Sequence, residues 1–198
     1  MTPREKRKEK TLKQIIKITS QIIRKEGVEN LSLRQVARKM NYSPSGMYEY
    51  FPSKEALVSA VNDTGLNLLS KYMQRPSPDL PWREQLIERG LAYLDFALEE
   101  PEMYLLVFSK LHSQRRSIEE KPITDSPYAF IFKAIEQGLA VGEFQLHSDH
   151  SPDTVSFAVW SLLHGMAMLE LTHLKGFDAD FDTFHRLNLE SMLRGFLT

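Results

Sequence analysis

Residues 32–57 read SLRQVARKMNYSPSGMYEYFPSKEAL, and this stretch contains three starts of α-helices. A serine stands before each helical run, and its hydroxyl can accept a hydrogen bond from an unpaired N–H of the first helical turn. The three serines are Ser32, Ser43 and Ser53. The stretch therefore predicts two short helices followed by a longer helix that begins after Ser53.

The first short helix has further signals at both ends. Gln35 stands three residues after Ser32, which is the spacing of a capping box, and Leu31 and Val36 have the spacing of a hydrophobic staple. Asn41 suits the left-handed residue that follows many helices. These signals predict a helix that ends just before Asn41 and a tight turn after it.

The second short helix begins with Pro44, whose missing N–H costs no hydrogen bond at the first helical position. It is expected to end near Tyr50, because Phe51 precedes Pro52 and is pushed toward extended backbone. Two helices joined by a tight turn form a helix-turn-helix. Small residues at the start of the second helix permit close approach to a phosphate or a base edge. These small residues are Ser43, Pro44, Ser45 and Gly46.

Longer side chains around this motif have the reach for DNA. Tyr48, Tyr50 and Lys54 can reach phosphates, and Arg34 on the first helix can reach a phosphate or a base. With Ser32 and the small residues they form the candidate DNA-binding set. The alternative is a helical hairpin whose tyrosines and lysine are ordinary surface residues.

Charge is distributed unevenly along the 198-residue chain. Residues 1–55 carry 13 Lys or Arg and 6 Asp or Glu, a net charge of +7. The other 143 residues carry 12 basic and 20 acidic residues, so their net charge is −8. A basic end on an acidic body fits a protein that presents one end to phosphates. Chance clustering on solvated helix faces is the alternative.

This segment resembles the DNA-binding region of the tetracycline-repressor (TetR) family of bacterial transcriptional regulators. The matching residues are Gly27, Ser32, Val36, Ala37, Tyr42, Ser43, Met47, Tyr48, Tyr50, Phe51, Ser53, Lys54, Glu55 and Leu57. The resemblance implies an all-α fold in which a three-helix head with a helix-turn-helix joins a helical ligand-binding and dimerisation body of about six helices. It implies a DNA-binding domain over residues 1–55 and a ligand-binding and dimerisation domain over residues 56–198.

The N-terminal region has two expected parts. Apolar residues at helical spacing predict a first helix over Thr11 to Glu26. Thr2 to Lys10 is almost entirely polar or charged, so we expect a basic arm that is frayed in solution and lies on DNA when bound. A merely solubilising tail is the alternative.

Helical periodicity predicts the remaining helices. The expected ranges are Ser53 to Gln74, Trp82 to Glu99, Glu102 to Lys110, Pro127 to Val141, Pro152 to Leu174 and Asp180 to Phe196, with a polar loop over Leu111 to Pro127.

The helix over Pro152 to Leu174 is apolar nearly all round, so we expect one side to pack on its own body and the other on a second subunit. Dimerisation through the last two long helices is also what the resemblance implies. A two-fold dimer predicts a pseudo-palindromic operator. The candidate interface residues are Leu162, Met166, Leu169, Leu187 and Met192.

The body is rich in large apolar side chains, and the resemblance implies that they form a mostly apolar pocket for a small-molecule inducer. The candidates are Tyr93, Phe96, Tyr104, Phe108, Tyr128, Trp160, His164 and Met168. Ordinary core packing is the alternative. Trp160, His164 and Gly165 also resemble the signature of a C-terminal subclass called the WHG domain.

Other classes of protein have little support. The chain has no cysteine, and no nucleophile elbow, phosphate-binding glycine loop or HExxH motif is present. His147 and His150 lie near Asp149, but His164 and His173 are nine residues apart and face different directions of one helix. We expect no metal, no cofactor and no enzyme activity. No apolar run is expected to cross a membrane and no signal peptide is evident, so we expect a cytoplasmic protein.

Overall fold

The computed structural model describes residues 2–109 and 127–197. Within these ranges the chain is built of α-helices, and the only strand-like pairing is an antiparallel bridge between Leu146 and Leu197. The helices are α1 (Pro3–Glu26), α2 (Leu33–Lys39), α3 (Pro44–Tyr48), α4 (Lys54–Met73), α5 (Trp82–Glu99), α6 (Pro101–Ser109), α7 (Pro127–Ala140), α8 (Pro152–Leu171) and α9 (Phe181–Phe196). The all-α prediction is confirmed. The predicted loop over residues 111–127 lies outside the described residues except for Pro127.

The three serine caps form as the sequence predicts. The Ser32 hydroxyl accepts from the Gln35 N–H at 3.2 Å, and the Ser53 hydroxyl accepts from the Ala56 N–H at 3.2 Å. Ser43 caps α3 in the same way. These bonds use only neighbouring residues, which is why the sequence alone locates the three helix starts.

The predicted capping box at Ser32 is only half formed. The Gln35 side chain does not return to the Ser32 backbone. Its amide instead donates to the Glu26 carboxylate at the end of α1, at 2.6 Å. Gln35 therefore links α2 to α1, an interaction between distant residues that the local spacing cannot reveal.

The prediction of a frayed arm before Thr11 is wrong. Helix α1 begins at Pro3, because the Thr2 hydroxyl accepts from the Glu5 N–H at 3.3 Å and the Glu5 carboxylate accepts from the Thr2 N–H at 2.6 Å. This is a complete capping box with proline at the first helical position. The polar composition of residues 2–10 obscured the signal, since all of these residues are exposed.

The described residues divide into two compact units. The first contains residues 2–65 and 100–109, so α6 lies with α1 to α3 and the first part of α4. Arg24 of α1 forms an ion pair with Glu100, with Nε 2.7 Å from a carboxylate oxygen. The core of this unit includes Ile15, Ile22, Val36, Met47 and Leu57, each 0 % exposed. The predicted domain boundary after residue 55 stays a prediction.

The second unit contains residues 66–99 and 127–197 of the described chain. Helix α5 packs against α7, α8 and α9. Gly90 permits this close packing, because a Cβ atom there would lie 3.0 Å from Leu189 of α9 and 3.3 Å from Leu163 of α8. The fully buried Tyr93 and Phe96 of α5 form part of the core.

Helix α8 differs from the sequence expectation on membrane segments. By length and composition it is apolar enough to cross a membrane, although a core helix of a soluble protein passes the same test. Only 28 % of its most apolar stretch of 18 residues is buried in this chain. Its apolar surface therefore exceeds what the described chain covers.

Gly138 gives a direct test of the packing in the second unit. A Cβ atom there would overlap the Phe144 ring, within 2.5 Å of its Cζ atom, and Phe144 is buried. We expect Gly138→Ala to lower the free energy of unfolding by about 1–3 kcal/mol, because the ring must leave its packed position. Urea denaturation measures this change.

Gly195→Ala is the matched control, since a Cβ atom at Gly195 meets nothing within 4 Å. Its stability should be unchanged or slightly higher, because alanine favours a helix over glycine. Equal stability of the two variants would contradict the packing described around Phe144.

Candidate nucleic-acid interface and effector cluster

The turn between α2 and α3 is fixed by backbone hydrogen bonds. The Tyr42 N–H donates to the Ala37 carbonyl at 2.9 Å and the Asn41 N–H donates to the Arg38 carbonyl at 3.2 Å. This is a Schellman pattern, which requires a left-handed residue between the two helices. Asn41 has φ = 56°, so the predicted left-handed residue is confirmed.

Helix α3 is held by one buried side chain. Met47 is 0 % exposed, which turns the other face of α3 to solvent. The helix ends at Tyr48, two residues earlier than predicted, and the Phe51 N–H closes the end on the Met47 carbonyl at 3.0 Å. Phe51 is itself buried, so the chain must leave the helix early to place its ring in the core.

The start of α3 is compact. The Ser43 hydroxyl accepts from the Gly46 N–H at 3.1 Å and lies 3.1 Å from the Ser45 hydroxyl. A Cβ atom at Gly46 would lie 3.2 Å from the Ser43 hydroxyl oxygen, so a larger residue there would crowd the cap. The exposed N-terminal end of α3 therefore offers small side chains and backbone at one point of the surface.

The other predicted DNA-binding residues are mostly exposed. Ser32, Arg34, Ser43, Pro44, Ser45 and Tyr48 are exposed, whereas Gly46, Tyr50 and Lys54 are half-buried. The Tyr50 ring meets the Tyr42 ring edge-on, with centroids 6.3 Å apart. Lys54 donates to the Glu29 carbonyl at 3.2 Å and so ties the start of α4 to the loop after α1.

The early start of α1 adds a feature that the sequence interpretation missed. Lys6, Lys10, Lys13 and Lys17 are spaced by four, three and four residues, so they share one face of α1, and all are exposed. Lys13 forms an ion pair with Glu9 at 2.7 Å. The face continues into an open groove of about 350 Å³, lined by Lys13, Ile16, Lys17, Ser20, Gln21, Arg24 and Thr64.

Four of the predicted ligand-binding residues lie together in the second unit. The Tyr93 hydroxyl is 3.4 Å from Nδ1 of His164, and the His164 ring is 6.4 Å from the Trp160 ring. Trp160 in turn meets the Tyr128 ring at 5.8 Å. We call Tyr93, Tyr128, Trp160 and His164 the effector cluster, a name that refers only to the ligand-binding prediction for these residues.

Burial shifts the titration of the cluster. It lowers the pKa of His164, so the imidazole is mainly neutral at pH 7. Burial, with a smaller contribution from the Asp153 carboxylate, raises the pKa of Tyr128. The cluster therefore combines uncharged polar groups with aromatic rings.

The other predicted ligand-binding residues lie elsewhere. Phe96 packs edge-on against Tyr72 at 5.5 Å, and Met168 is half-buried on α8. Tyr104 and Phe108 contact each other at 4.8 Å on α6, which belongs to the first unit. Sequence reasoning could not separate these residues from the cluster, because apolar composition does not show which helices meet.

The predicted interface residues lie on α8 and α9. Leu169 and Leu187 are 49 % and 50 % exposed, and Leu162, Met166 and Met192 are half-buried. Phe157 and Phe184 are further exposed aromatic residues on the same two helices. Glu170 and His185 join α8 to α9 through an ion pair at 2.9 Å.

The described ranges contain no group of three or more His, Asp or Glu residues that could hold a metal ion. His150 instead packs edge-on against the Phe196 ring at 4.8 Å. Its neighbour His147 donates its backbone N–H to the Phe196 carbonyl at 3.2 Å. These contacts dock the loop before α8 onto the end of α9.

Comparisons with known proteins agree with this geometry. The family model described as "Bacterial regulatory proteins, tetR family" matches residues 15–61, which contain the helix-turn-helix. The model described as "Tetracyclin repressor-like, C-terminal domain" matches residues 86–192. The second match includes Trp160, His164 and Gly165.

Individual proteins are also similar to this chain. An uncharacterized HTH-type transcriptional regulator, YobS of Bacillus subtilis, is 28 % identical over 160 residues, which cover 80 % of this chain and 78 % of YobS. A Rhodococcus sp. RHA1 protein of unknown function has a TM-score of 0.77 at 20 % identity, with 93 % and 94 % of the two chains covered.

The structure of BioQ from Mycobacterium smegmatis has a TM-score of 0.63 at 25 % identity, with 92 % and 95 % of the two chains covered. A structure of BioQ with its double-stranded DNA operator has a TM-score of 0.61 at 23 % identity, with 93 % and 96 % covered. The two family models together include the helix-turn-helix and most of the body, and the second alone spans more than half of the chain. The chain belongs to the TetR family of DNA-binding transcriptional regulators.

Proposed function

We propose that this protein is a homodimeric repressor that binds a pseudo-palindromic operator in the cytoplasm and is released by a small, largely apolar molecule. The observation that carries the proposal is the exposed start of α3, where Ser43, Pro44 and Ser45 face solvent beside Tyr48. BioQ, a protein of similar fold, has a crystal structure in complex with its double-stranded DNA operator.

In the proposed complex, the start of α3 enters the major groove and the surrounding side chains bind phosphates. Arg34 and Tyr48 are exposed and have the length to do so. Lys54 is already bonded to the Glu29 carbonyl, but an ammonium group has two further donors. The lysines that share one face of helix α1 supply a row of cations for the adjacent phosphates of the DNA backbone. These are Lys6, Lys10, Lys13 and Lys17.

The proposed dimer follows from apolar side chains that the described chain leaves exposed. Phe157, Leu169, Phe184 and Leu187 are each about half exposed on α8 and α9. Gly165 lies among the half-buried candidates, and a Cβ atom there meets nothing within 4 Å, so a second helix can approach closely. A two-fold interface pairs this surface with itself and buries both copies.

The proposed ligand response requires a binding site whose state is coupled to DNA binding. The effector cluster supplies aromatic surface with neutral polar groups, as small-molecule sites usually do. The effector must bind the DNA-incompetent state more tightly than the competent state, because otherwise no shift occurs. Coupling of about 1–3 kcal/mol would weaken operator binding some 5- to 150-fold.

Selection of bound sequences from random duplex DNA at a fixed salt concentration tests the operator. We expect an inverted repeat whose half-sites lie about 34–36 Å apart or a multiple of this distance, because two α3 helices must reach successive major grooves. Enrichment of a single, asymmetric site would contradict the symmetric dimer. Salt-sensitive binding without enrichment of any sequence would contradict the proposal that the protein recognises a specific operator.

Removal of one hydroxyl tests how α3 docks. Tyr48 is 51 % exposed, so Tyr48→Phe should leave the fold unchanged. We expect operator affinity to fall about 10-fold, because a hydrogen bond to a charged phosphate is lost. Fluorescence anisotropy at constant salt measures the affinity, with Ser77→Ala as the control, because it removes an exposed hydroxyl in the second unit outside the candidate sites. Unchanged affinity would show that Tyr48 faces away from the DNA.

The interface is tested with charged substitutions at its exposed positions. Leu169→Glu combined with Leu187→Glu should give a monomer, because carboxylates cannot be buried without partners. Light scattering coupled to gel filtration measures the mass. Val141→Glu is the control, since Val141 is 62 % exposed outside α8 and α9. A double variant that remains dimeric would move the interface to another surface.

A further inference from the structure

A cation lies on the buried face of α5. Gln85, Arg89 and Tyr93 are spaced by four residues and so share one side of the helix. Gln85 is 3 % exposed and Tyr93 is 0 % exposed, and Arg89 between them is half-buried. A guanidinium at such a position needs an explanation, because charged groups are rarely buried without partners.

The contacts of Arg89 are few and well defined. Its Nη2 donates to the Gln85 side-chain oxygen at 3.1 Å. The Gln85 amide is itself fixed, because its nitrogen donates to the Pro78 carbonyl at 3.1 Å and to the Leu80 carbonyl at 2.7 Å. Nε of Arg89 is buried and has no hydrogen-bond partner among the described residues. The guanidinium is therefore oriented but incompletely bonded.

No carboxylate in residues 2–109 and 127–197 lies within 4 Å of the Arg89 guanidinium. The acidic residues nearest in sequence are Glu84 and Glu88, and both bind Arg186 of α9. Burial lowers the pKa of Arg89, and no nearby negative charge opposes this shift. An arginine nevertheless stays protonated at neutral pH. The second unit therefore holds a positive charge whose counter-charge is missing from the described chain.

Such a charge favours an anion at this position. A carboxylate matches the guanidinium fork with two parallel hydrogen bonds and carries a single charge. A phosphate carries more charge and would be costlier to remove from water at a half-buried position. Tyr93 of the effector cluster lies one turn of α5 from Arg89, and its hydroxyl is 3.4 Å from Nδ1 of His164. The apolar part of such a molecule would therefore meet aromatic residues close to Arg89 along the helix.

We propose that Arg89 binds the carboxylate of the effector, so that the effector is a small monocarboxylic acid with an apolar body. This inference rests on the proposed ligand response and names the chemical class that the site takes. Gln85 acts as a positioning residue, because it holds the guanidinium without neutralising it.

The first test needs no ligand. Arg89→Met keeps an unbranched side chain and removes the uncompensated charge, so we expect the melting temperature of the purified protein to rise by roughly 2–4 °C. Arg83→Met on the exposed face of α5 is the matched control and should change little. Arg186→Met should lower the melting temperature, because it leaves Glu84 and Glu88 unpaired. A fall in melting temperature for Arg89→Met would overturn the proposal, since it would mean that the charge already has a partner in the chain.

The second test compares acids with alcohols of the same carbon skeleton. Octanoate, decanoate and 4-phenylbutyrate are each paired with octanol, decanol and 4-phenylbutanol in thermal-shift titrations of wild type, Arg89→Met and Arg83→Met. We expect a carboxylate to bind wild type and Arg83→Met at least 10-fold more tightly than its alcohol, and to lose about 10- to 100-fold in affinity for Arg89→Met. Equal shifts from acid and alcohol, shifts that persist in Arg89→Met, or no shift from any carboxylate would overturn the proposal.

Measurements of operator binding distinguish the proposed ligand response from the proposed role of Arg89. If wild type binds an operator and alcohols release it as well as acids do, the ligand response stands and the role of Arg89 fails. If carboxylates bind through Arg89 without changing operator affinity, the anion site stands and the proposed ligand response fails.

Discussion

The hydrogen bond from the Tyr42 N–H to the Ala37 carbonyl determines what the first unit can present to DNA. It closes the turn after α2 across the left-handed Asn41 and so sets the direction in which α3 leaves. With that direction fixed, Met47 is the residue of α3 that enters the core, and the start of the helix stays exposed. A different turn would rotate α3 and bury the residues that are proposed to meet DNA, so the interface depends on a backbone bond that itself contacts no ligand.

Bonds between neighbouring residues account for most of what the sequence predicts correctly. The three serine caps and Asn41 depend on residues at most five positions apart, and their positions follow from the stretch 32–57 alone. The start of α1 depends on an equally local interaction, the capping box between Thr2 and Glu5. The charged composition of residues 2–10 instead led to the prediction of a frayed arm. The bonds from Gln35 to Glu26 and from Lys54 to Glu29 connect separate elements, and no local pattern specifies them.

Apolar composition predicted less than periodicity did. It identified the body as a source of ligand-binding and interface residues, but it could not distribute them among surfaces. The structure places Tyr104 and Phe108 in the first unit and the effector cluster in the second, and it leaves much of the apolar side of α8 exposed. Residues of the same apolar types thus lie in the core, in the effector cluster and on an exposed helix face. Only the helix contacts, which involve residues far apart in sequence, separate these uses.

Arg89 and Arg186 both lie in the second unit, but their side chains have different partners. Arg186 binds Glu84 and Glu88, and these hydrogen bonds raise its pKa and connect α9 to α5. Arg89 follows Glu88 directly in sequence, about 100° further round the helix. Among the described residues, its guanidinium donates a hydrogen bond only to the Gln85 side-chain oxygen. Evolution can remove an unhelpful half-buried charge with one substitution, because an apolar side chain of similar size can stabilise such a position. A guanidinium that is held in place but left without a counter-charge is therefore better explained by a binding role than by a contribution to folding.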